Sequence, residues 1–148
     1  MSEQVWEVAD AGAMHDLGVR LDKTFRAGDL VVLSGCLGAG KTTLAQGIAA
    51  GMSVKGPVTS PTFVIARVHR STHGGPDLVH VDAYRLHSLA EVDDLDLDAS
   101  LANSVMVVEW GRGRVEFLTD RRIEIFIDRD ATPRKVLYRQ INETKRNS

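Results

Sequence analysis

The sequence has few of the residues on which several classes of small protein depend. Its 148 residues include one cysteine, Cys36, so no disulfide can form within the chain. Because no apolar segment of the signal-peptide type lies near Met1, we expect a reducing, cytoplasmic setting. Apolar runs extend over only a few residues, whereas a membrane span needs about 20. The 18 basic and 20 acidic side chains nearly balance, which gives no overall bias towards nucleic acid or anionic membrane.

What is present suffices for one folded domain. Hydrophobic residues make up 43% of the chain, enough to bury a core. No linker, internal repeat or low-complexity stretch divides the sequence. We therefore expect a single domain over residues 1–148, with no membrane contact.

Two helices and a buried strand are predicted in the first 52 residues. Asp10 is the predicted N-cap of the first helix and Gly28 its predicted end. Between them, apolar residues recur at spacings of three and four on one face: Met14, Leu17, Leu21 and Phe25. Residues 30–33 are apolar without alternation, which is typical of a strand covered on both faces in a parallel sheet. Residues 41–52 then predict a second helix.

Further strands are predicted downstream, at residues 63–68, 78–81, 105–108, 122–127 and 135–139. The last two alternate apolar and polar side chains, which favours antiparallel or edge strands with one solvated face. A turn-rich loop is predicted over residues 69–76, and a capping box at residues 88–91 predicts the start of a short helix. Together these elements predict an α/β protein whose sheet is mostly parallel with an antiparallel flank.

Residues 35–42 match the phosphate-binding pattern G-x-x-x-x-G-K-[ST]. The match follows a predicted buried strand and opens a predicted helix, as this pattern requires. Glycines allow backbone N–H groups to approach phosphate oxygens, and the helix N-terminus adds partial positive charge. We favour this interpretation over an ordinary glycine-rich turn with a surface lysine. It predicts a P-loop NTPase-like three-layer sandwich with a mostly parallel sheet flanked by antiparallel strands.

The residues of this loop have distinct predicted roles. Lys41 is expected to reach the β- and γ-phosphates, Thr42 to offer its hydroxyl to Mg²⁺, and Thr43 to bond the α-phosphate. The other predicted nucleotide contacts in the loop are Gly38, Ala39 and Gly40. Guanine-specific proteins of the P-loop superfamily read the base with an Asn-Lys-x-Asp segment, which this sequence lacks, so ATP is favoured.

Three residues outside the loop are candidates to complete the site. Asp82 and Glu109 each follow a predicted buried strand, where a carboxylate could hold Mg²⁺ directly or through water. Either acid alone could instead form a turn or cap a helix. Thr62 lies about twenty residues past Lys41, where P-loop GTPases carry a switch threonine. Its Ser-Pro-Thr context is equally typical of the start of a turn.

Four segments in this order closely resemble the bacterial TsaE family, formerly YjeE: Leu33-Ser34-Gly35 to Thr43, Ser60-Pro61-Thr62-Phe63, His80-Val81-Asp82-Ala83-Tyr84-Arg85-Leu86 and Val108-Glu109-Trp110. The resemblance covers nearly the whole chain. It implies the ATPase of tRNA threonylcarbamoyladenosine biosynthesis, which docks on the TsaD–TsaB complex. That complex transfers threonylcarbamoyl to adenosine 37 of tRNA, and the ATP cycle supports its repeated turnover. The chain would therefore meet tRNA indirectly, through the complex.

The resemblance also implies roles for individual residues. Thr42 and Glu109 would be Mg²⁺ ligands, and Lys41 would be the lysine that contacts phosphate. Asp82 and Thr62 would lie beside the γ-phosphate.

Three further positions follow from the same resemblance. Arg134 matches a tail arginine near the adenine. Trp110 would lie near the nucleotide or the partner surface, or would simply pack in the core. Cys36 stands where the family usually has an aspartate, which leaves open a contact or a water position made by that acid.

Two functions of other classes stay open: a small metabolite kinase and a nucleotide sensor that does not hydrolyse. A chain of 148 residues leaves little room for the substrate domain and arginine-bearing lid of a kinase. His69 and His73 have the spacing of a metal-binding pair. Because no cysteine or carboxylate follows at ligand spacing, we favour a solvated loop over a zinc site.

Overall fold

Strands and helices form largely where the apolar patterns place them. The computed structural model describes residues 2–35, 40–55, 66–82, 103–109 and 121–142. The strands in these ranges are β1 (Ser2–Val8), β2 (Leu30–Gly35), β3 (Ala66–His69), β4 (Asp77–Asp82), β5 (Ser104–Glu109), β6 (Arg121–Asp128) and β7 (Arg134–Asn142). The helices are α1 (Ala11–Leu21) and α2 (Lys41–Met52), with a 3₁₀ turn at Asp22–Thr24. The predicted strand residues 63–65 and the predicted helix start at 88–91 lie outside the described residues.

The described strands belong to one sheet, in the order β1-β7-β6-β2-β5-β4-β3. The four middle strands, β6, β2, β5 and β4, pair in parallel. At one side β7 and β1, and at the other β3, pair antiparallel with their neighbours. This confirms an α/β fold whose sheet is parallel in its middle and antiparallel at its flanks. The antiparallel pairing predicted for residues 122–127 is found between β6 and β7. The prediction was wrong for the other neighbour, because β6 is an interior strand that pairs in parallel with β2.

The middle of the sheet is buried on both faces. Residues 30–33 of β2 are each at most 1% exposed, which confirms the prediction of a doubly covered strand. On one face, alternate side chains of the sheet pack in a common core with Met14 of α1 and with Leu44 and Ile48 of α2. The described residues thus supply the sheet and one helical layer of the predicted sandwich. Neither described helix is long and apolar enough to cross a membrane.

Helix α1 begins as predicted but ends earlier. The carboxylate of Asp10 accepts a hydrogen bond of 2.8 Å from the N–H of the third helical residue, as an N-cap does. The helix ends at Leu21, whose carbonyl accepts a hydrogen bond of 2.7 Å from the Thr24 hydroxyl. Phe25 still reaches the core, so the apolar spacing continues past the helix. Gly28, the predicted end, instead forms the turn into β2 with a φ of 96°.

Strand β1 is the element that the apolar pattern does not predict. It lies at an edge of the sheet and pairs with β7 alone. Its outer face is solvated, with Val5 56% exposed. Four of its seven residues are polar, two of them glutamates, so it lacks the apolar run that marks a buried strand.

Helices α1 and α2 cross in close contact because each has a glycine at the crossing. A β carbon on Gly18 would lie 2.5 Å from the carbonyl oxygen of Leu44. A β carbon on Gly47 would collide with the carbonyl oxygen of His15. Backbone therefore packs on backbone, and α1 fixes the helix that follows the phosphate-binding pattern.

The loop between β3 and β4 closes on the C-terminal end of α2. The His73 ring donates a hydrogen bond of 2.9 Å from Nε2 to the carbonyl of Met52, and His69 Nδ1 donates one of 3.0 Å to the carbonyl of Lys55. His69 is the last residue of β3 and is buried, so the prediction that it belongs to a solvated loop was wrong. No group of three or more potential metal ligands among His, Cys, Asp and Glu occurs in the described residues.

Candidate nucleotide-binding site

The carboxyl ends of the parallel strands meet at one edge of the sheet. In the sheet register Glu109 of β5 is level with Leu33 of β2 on one side and with Asp82 of β4 on the other. Strand β2 ends at Gly35, and α2 begins at Lys41. Ligands of open α/β sheets bind at the carboxyl ends of the strands, so this edge is the expected position of a site.

Gly40 starts α2 in a conformation that favours glycine. Its φ of 115° lies in the left-handed region, where a β carbon is strained. Within the described ranges no side chain caps the helix, and its first turn contains no acidic residue. The first N–H groups of a helix have no partner within it, so they can bind an anion.

Lys41 is buried at the base of the loop. It is 6% exposed, and its Nζ donates a hydrogen bond of 2.8 Å to the carbonyl of Gly35. The side chain therefore bridges the two described ends of the phosphate-binding pattern. Thr42 and Thr43 follow in the first turn of α2, and both are half-buried. Gly38 and Ala39 lie outside the described residues.

Glu109 is buried and hydrogen-bonded to a histidine. Its side chain is 6% exposed, and Oε2 lies 2.6 Å from Nε2 of His80, which is fully buried. A carboxylate can only accept, so the His80 Nε2–H donates. No hydrogen bond to the second oxygen, Oε1, is found among the described residues.

His80 is the first residue of the segment 80–86 that resembles TsaE, and the sequence alone predicts no role for it. The signal was available, because a histidine inside the apolar run Leu78–Val81 needs a polar partner once it is buried. The identity of that partner depends on the parallel register of β4 and β5.

Arg134 lies beside Gly40, at the start of α2. It is the first residue of β7, which runs antiparallel to β6, so it lies at the same edge as the carboxyl ends of the parallel strands. Its Nη1 is 3.7 Å from the position that a β carbon on Gly40 would occupy. The guanidinium is therefore close to the N-terminal end of α2.

Of the remaining predicted site residues, Asp82 is described by its backbone position. The backbone of Asp82 is level with Glu109 at the end of β4. Thr62 and Trp110 lie outside the described residues, as does Cys36.

The donors at this edge fit Mg²⁺. This cation prefers oxygen ligands and usually binds to one or two carboxylates together with substrate phosphates and water. Glu109 provides a buried carboxylate with one oxygen free of hydrogen bonds among the described residues, and Thr42 provides a hydroxyl at the start of α2. A dedicated cage of three protein ligands is not needed for such a site.

Together the fold and the site define an α/β protein with a P-loop of the nucleotide-binding type. A family model described as "Threonylcarbamoyl adenosine biosynthesis protein TsaE" matches residues 8–137. The chain therefore belongs to the TsaE family, as the four sequence segments predict.

Individual relatives agree with this assignment. The chain is 65% identical over 117 residues to the tRNA threonylcarbamoyladenosine biosynthesis protein TsaE of Streptomyces coelicolor, a match that covers 78% of this chain and 79% of that protein. It is 55% identical over 120 residues to the protein of the same name from Mycobacterium tuberculosis, covering 76% and 71%. The crystal structure of Bacillus subtilis YdiB superposes with a TM-score of 0.73 at 26% identity, covering 95% of this chain and 86% of that one. Membership places the role of the chain in threonylcarbamoyladenosine biosynthesis and implies nucleotide binding.

Proposed function

We propose that this chain is the ATP-hydrolysing subunit of tRNA threonylcarbamoyladenosine formation and acts with the TsaD–TsaB complex in the cytoplasm. The observation that carries the proposal is that Lys41 and Glu109 lie at the same edge of the sheet, in a chain of the TsaE family. A phosphate-contacting lysine and a buried carboxylate are the two charged groups that a P-loop ATPase needs there.

The chain's own residues bind and orient the nucleotide. Lys41 and the N–H groups at the start of α2 hold the phosphates, with Thr43 on the α-phosphate. Arg134 lies on the adenine side. Thr42 and Glu109 would hold Mg²⁺, and the bound cation would neutralise phosphate charge.

Asp82 and Thr62 act beside the γ-phosphate. Phosphoryl transfer needs positioning and charge stabilisation rather than a covalent nucleophile, so these residues contribute to turnover more than to binding. The motifs contain no obvious glutamine or arginine finger; Arg85, an arginine of the segment that begins at His80, lies outside the described residues. Hydrolysis by the isolated chain is therefore slow and is accelerated when the TsaD–TsaB complex completes the site.

Steady-state ATP hydrolysis with Mg²⁺ tests this proposal. The rate is measured for the chain alone and with increasing TsaD–TsaB, and the complex without the chain gives the background. We expect a rate below about 1 s⁻¹ for the isolated chain and a saturable increase with the complex. A rate that TsaD–TsaB leaves unchanged contradicts the proposal, and a phosphorylated metabolite as product would favour a kinase.

A further inference from the structure

We propose that His80 is a positioning residue that holds the Glu109 carboxylate for the divalent cation. Its Nε2–H occupies Oε2 and leaves Oε1 for the cation or for one of its water ligands. The inference rests on the proposed function, because it concerns the same cation. It gives a role to His80, for which the sequence segments alone predict none.

The geometry makes His80 a rigid support. The two side chains come from adjacent parallel strands, and His80 is level with Val107, two residues before Glu109 on the same strand face. The ring therefore reaches forward along the sheet to the carboxylate at the strand end. It is 0% exposed and cannot turn away into solvent.

The hydrogen bonds of the His80 ring indicate that it orients the Glu109 carboxylate. Among the described residues, Oε2 of Glu109 has His80 as its hydrogen-bond partner, and the other ring nitrogen of His80, Nδ1, is buried without a partner. The ring therefore makes one hydrogen bond there, and that bond is to the carboxylate. Because the ring has no other partner there, its one hydrogen bond fixes the direction of the Glu109 carboxylate.

Glutamate needs such a support at this position. Its side chain has three rotatable bonds, and a buried carboxylate without a donor is poorly compensated. A single donor on one oxygen selects one rotamer and leaves the second oxygen directed elsewhere. Removing the partner that orients a metal ligand typically lowers metal affinity about 10- to 100-fold.

Two variants test the inference, His80→Gln and His80→Asn. Both replace the ring by an amide, but their side chains differ in length. In His80→Gln the amide nitrogen can take the place of Nε2, whereas in His80→Asn it takes the place of Nδ1 and cannot reach Glu109. Binding of Mn²⁺ is measured by electron paramagnetic resonance in the presence of a non-hydrolysable ATP analogue. Nucleotide affinity is measured separately in EDTA.

We expect His80→Asn to bind Mn²⁺ at least about tenfold more weakly than the parent, and His80→Gln to recover most of the loss. Nucleotide affinity in EDTA should change less than twofold in both variants. Val105→Ala is the packing control, because Val105 is buried on the same face of β5 and has no predicted contact with the nucleotide. It should lower the thermal unfolding temperature and leave Mn²⁺ affinity unchanged.

Four results would overturn the inference. Parent-like Mn²⁺ affinity in folded His80→Asn would show that Glu109 needs no support, and equal loss in both amide variants would show that the donor does not matter. If His80→Asn does not fold, a folded His80→Gln that binds Mn²⁺ tenfold more weakly contradicts the inference. If the parent itself binds no Mn²⁺ with nucleotide, the proposed function fails as well, so the two failures are distinguishable.

Discussion

The α carbon of Gly18 lies 3.0 Å from the position that a β carbon on Gly47 would take. This is the point at which α1 crosses α2, the helix that begins at Lys41. The contact between Gly18 and Gly47 has no room for a methyl group. The position of α2, and with it the site, thus depends on a contact more than one helical turn away from Lys41.

Gly47→Ala should therefore destabilise the chain strongly. The added methyl group would meet the backbone of α1, including the carbonyl of His15, and could be accommodated only if the helices separate. Overpacking of this kind costs about 3 kcal/mol or more when backbone must move. Urea unfolding followed by circular dichroism measures the change.

Gly12→Ala is the matched control. Among the described residues, the atom that a β carbon on Gly12 would approach is Asp10 Oδ1, at an ordinary 3.4 Å. Alanine favours a helix over glycine by up to about 1 kcal/mol, so this variant should be as stable as the parent or slightly more so. Equal destabilisation of the two variants would contradict the account of the crossing.

Lys41→Ala should weaken ATP binding. The lysine is buried beside the loop and its Nζ already lies at the carbonyl of Gly35, so it is placed to donate charged hydrogen bonds to phosphate. Loss of one such bond costs about 1.5–3 kcal/mol, which is roughly a tenfold loss of affinity or more. Isothermal titration calorimetry measures the affinity. Lys55→Ala, past the opposite end of α2, is the control, and an unchanged affinity for Lys41→Ala would refute the phosphate-loop assignment.

Thr42→Ala should remove the part of nucleotide affinity that depends on the metal. Its hydroxyl is the proposed Mg²⁺ ligand, whereas the backbone N–H at the same position still binds phosphate. ATP affinity should therefore fall in Mg²⁺ and stay unchanged in EDTA. Thr72→Ala provides the comparison, since Thr72 is exposed in the loop at the other end of α2. A parallel loss in both buffers would mean that Thr42 contributes to folding or phosphate contact instead.

Arg134→Ala should weaken ATP binding several-fold. The guanidinium lies beside Gly40, on the proposed adenine side of the loop. Loss of one hydrogen bond or stacking contact there costs about 1 kcal/mol. Fluorescent ATP displacement measures the effect. Arg139→Ala is a matched control on the same strand, because Arg139 pairs with Glu3 at 3.0 Å and lies away from the loop; equal affinities for the two variants would place Arg134 outside the site.

The sequence predicted the middle of the fold and the position of the loop. Residues 30–33 and 41–52 were predictable because buried strands and the phosphate-binding pattern leave local signatures. Strand β1 was not predictable, since an exposed edge strand has no apolar run. The early end of α1 was missed because Phe25 reaches the core from the turn after the helix.

The candidate site was predictable only where a residue has a local signature in the sequence. Lys41 and Glu109 were found from a motif and from a strand end, which are properties of the local sequence. The bond between His80 and Glu109 was not, because it depends on which residues of β4 and β5 lie side by side. The pairing follows from the register, and register is a property of the assembled sheet.

The central claim is that ATP hydrolysis at Glu109 supports repeated tRNA modification. The most direct test counts modified adenosines per TsaD–TsaB complex over time, with excess tRNA and threonylcarbamoyl donor, for the parent and for Glu109→Gln. Glu3→Gln, an exposed glutamate on the edge strand, is the matched control. We predict many rounds with the parent and the control and about a single round with Glu109→Gln. If Glu109→Gln sustains the parental rate, the chain acts as a nucleotide sensor and the account is wrong.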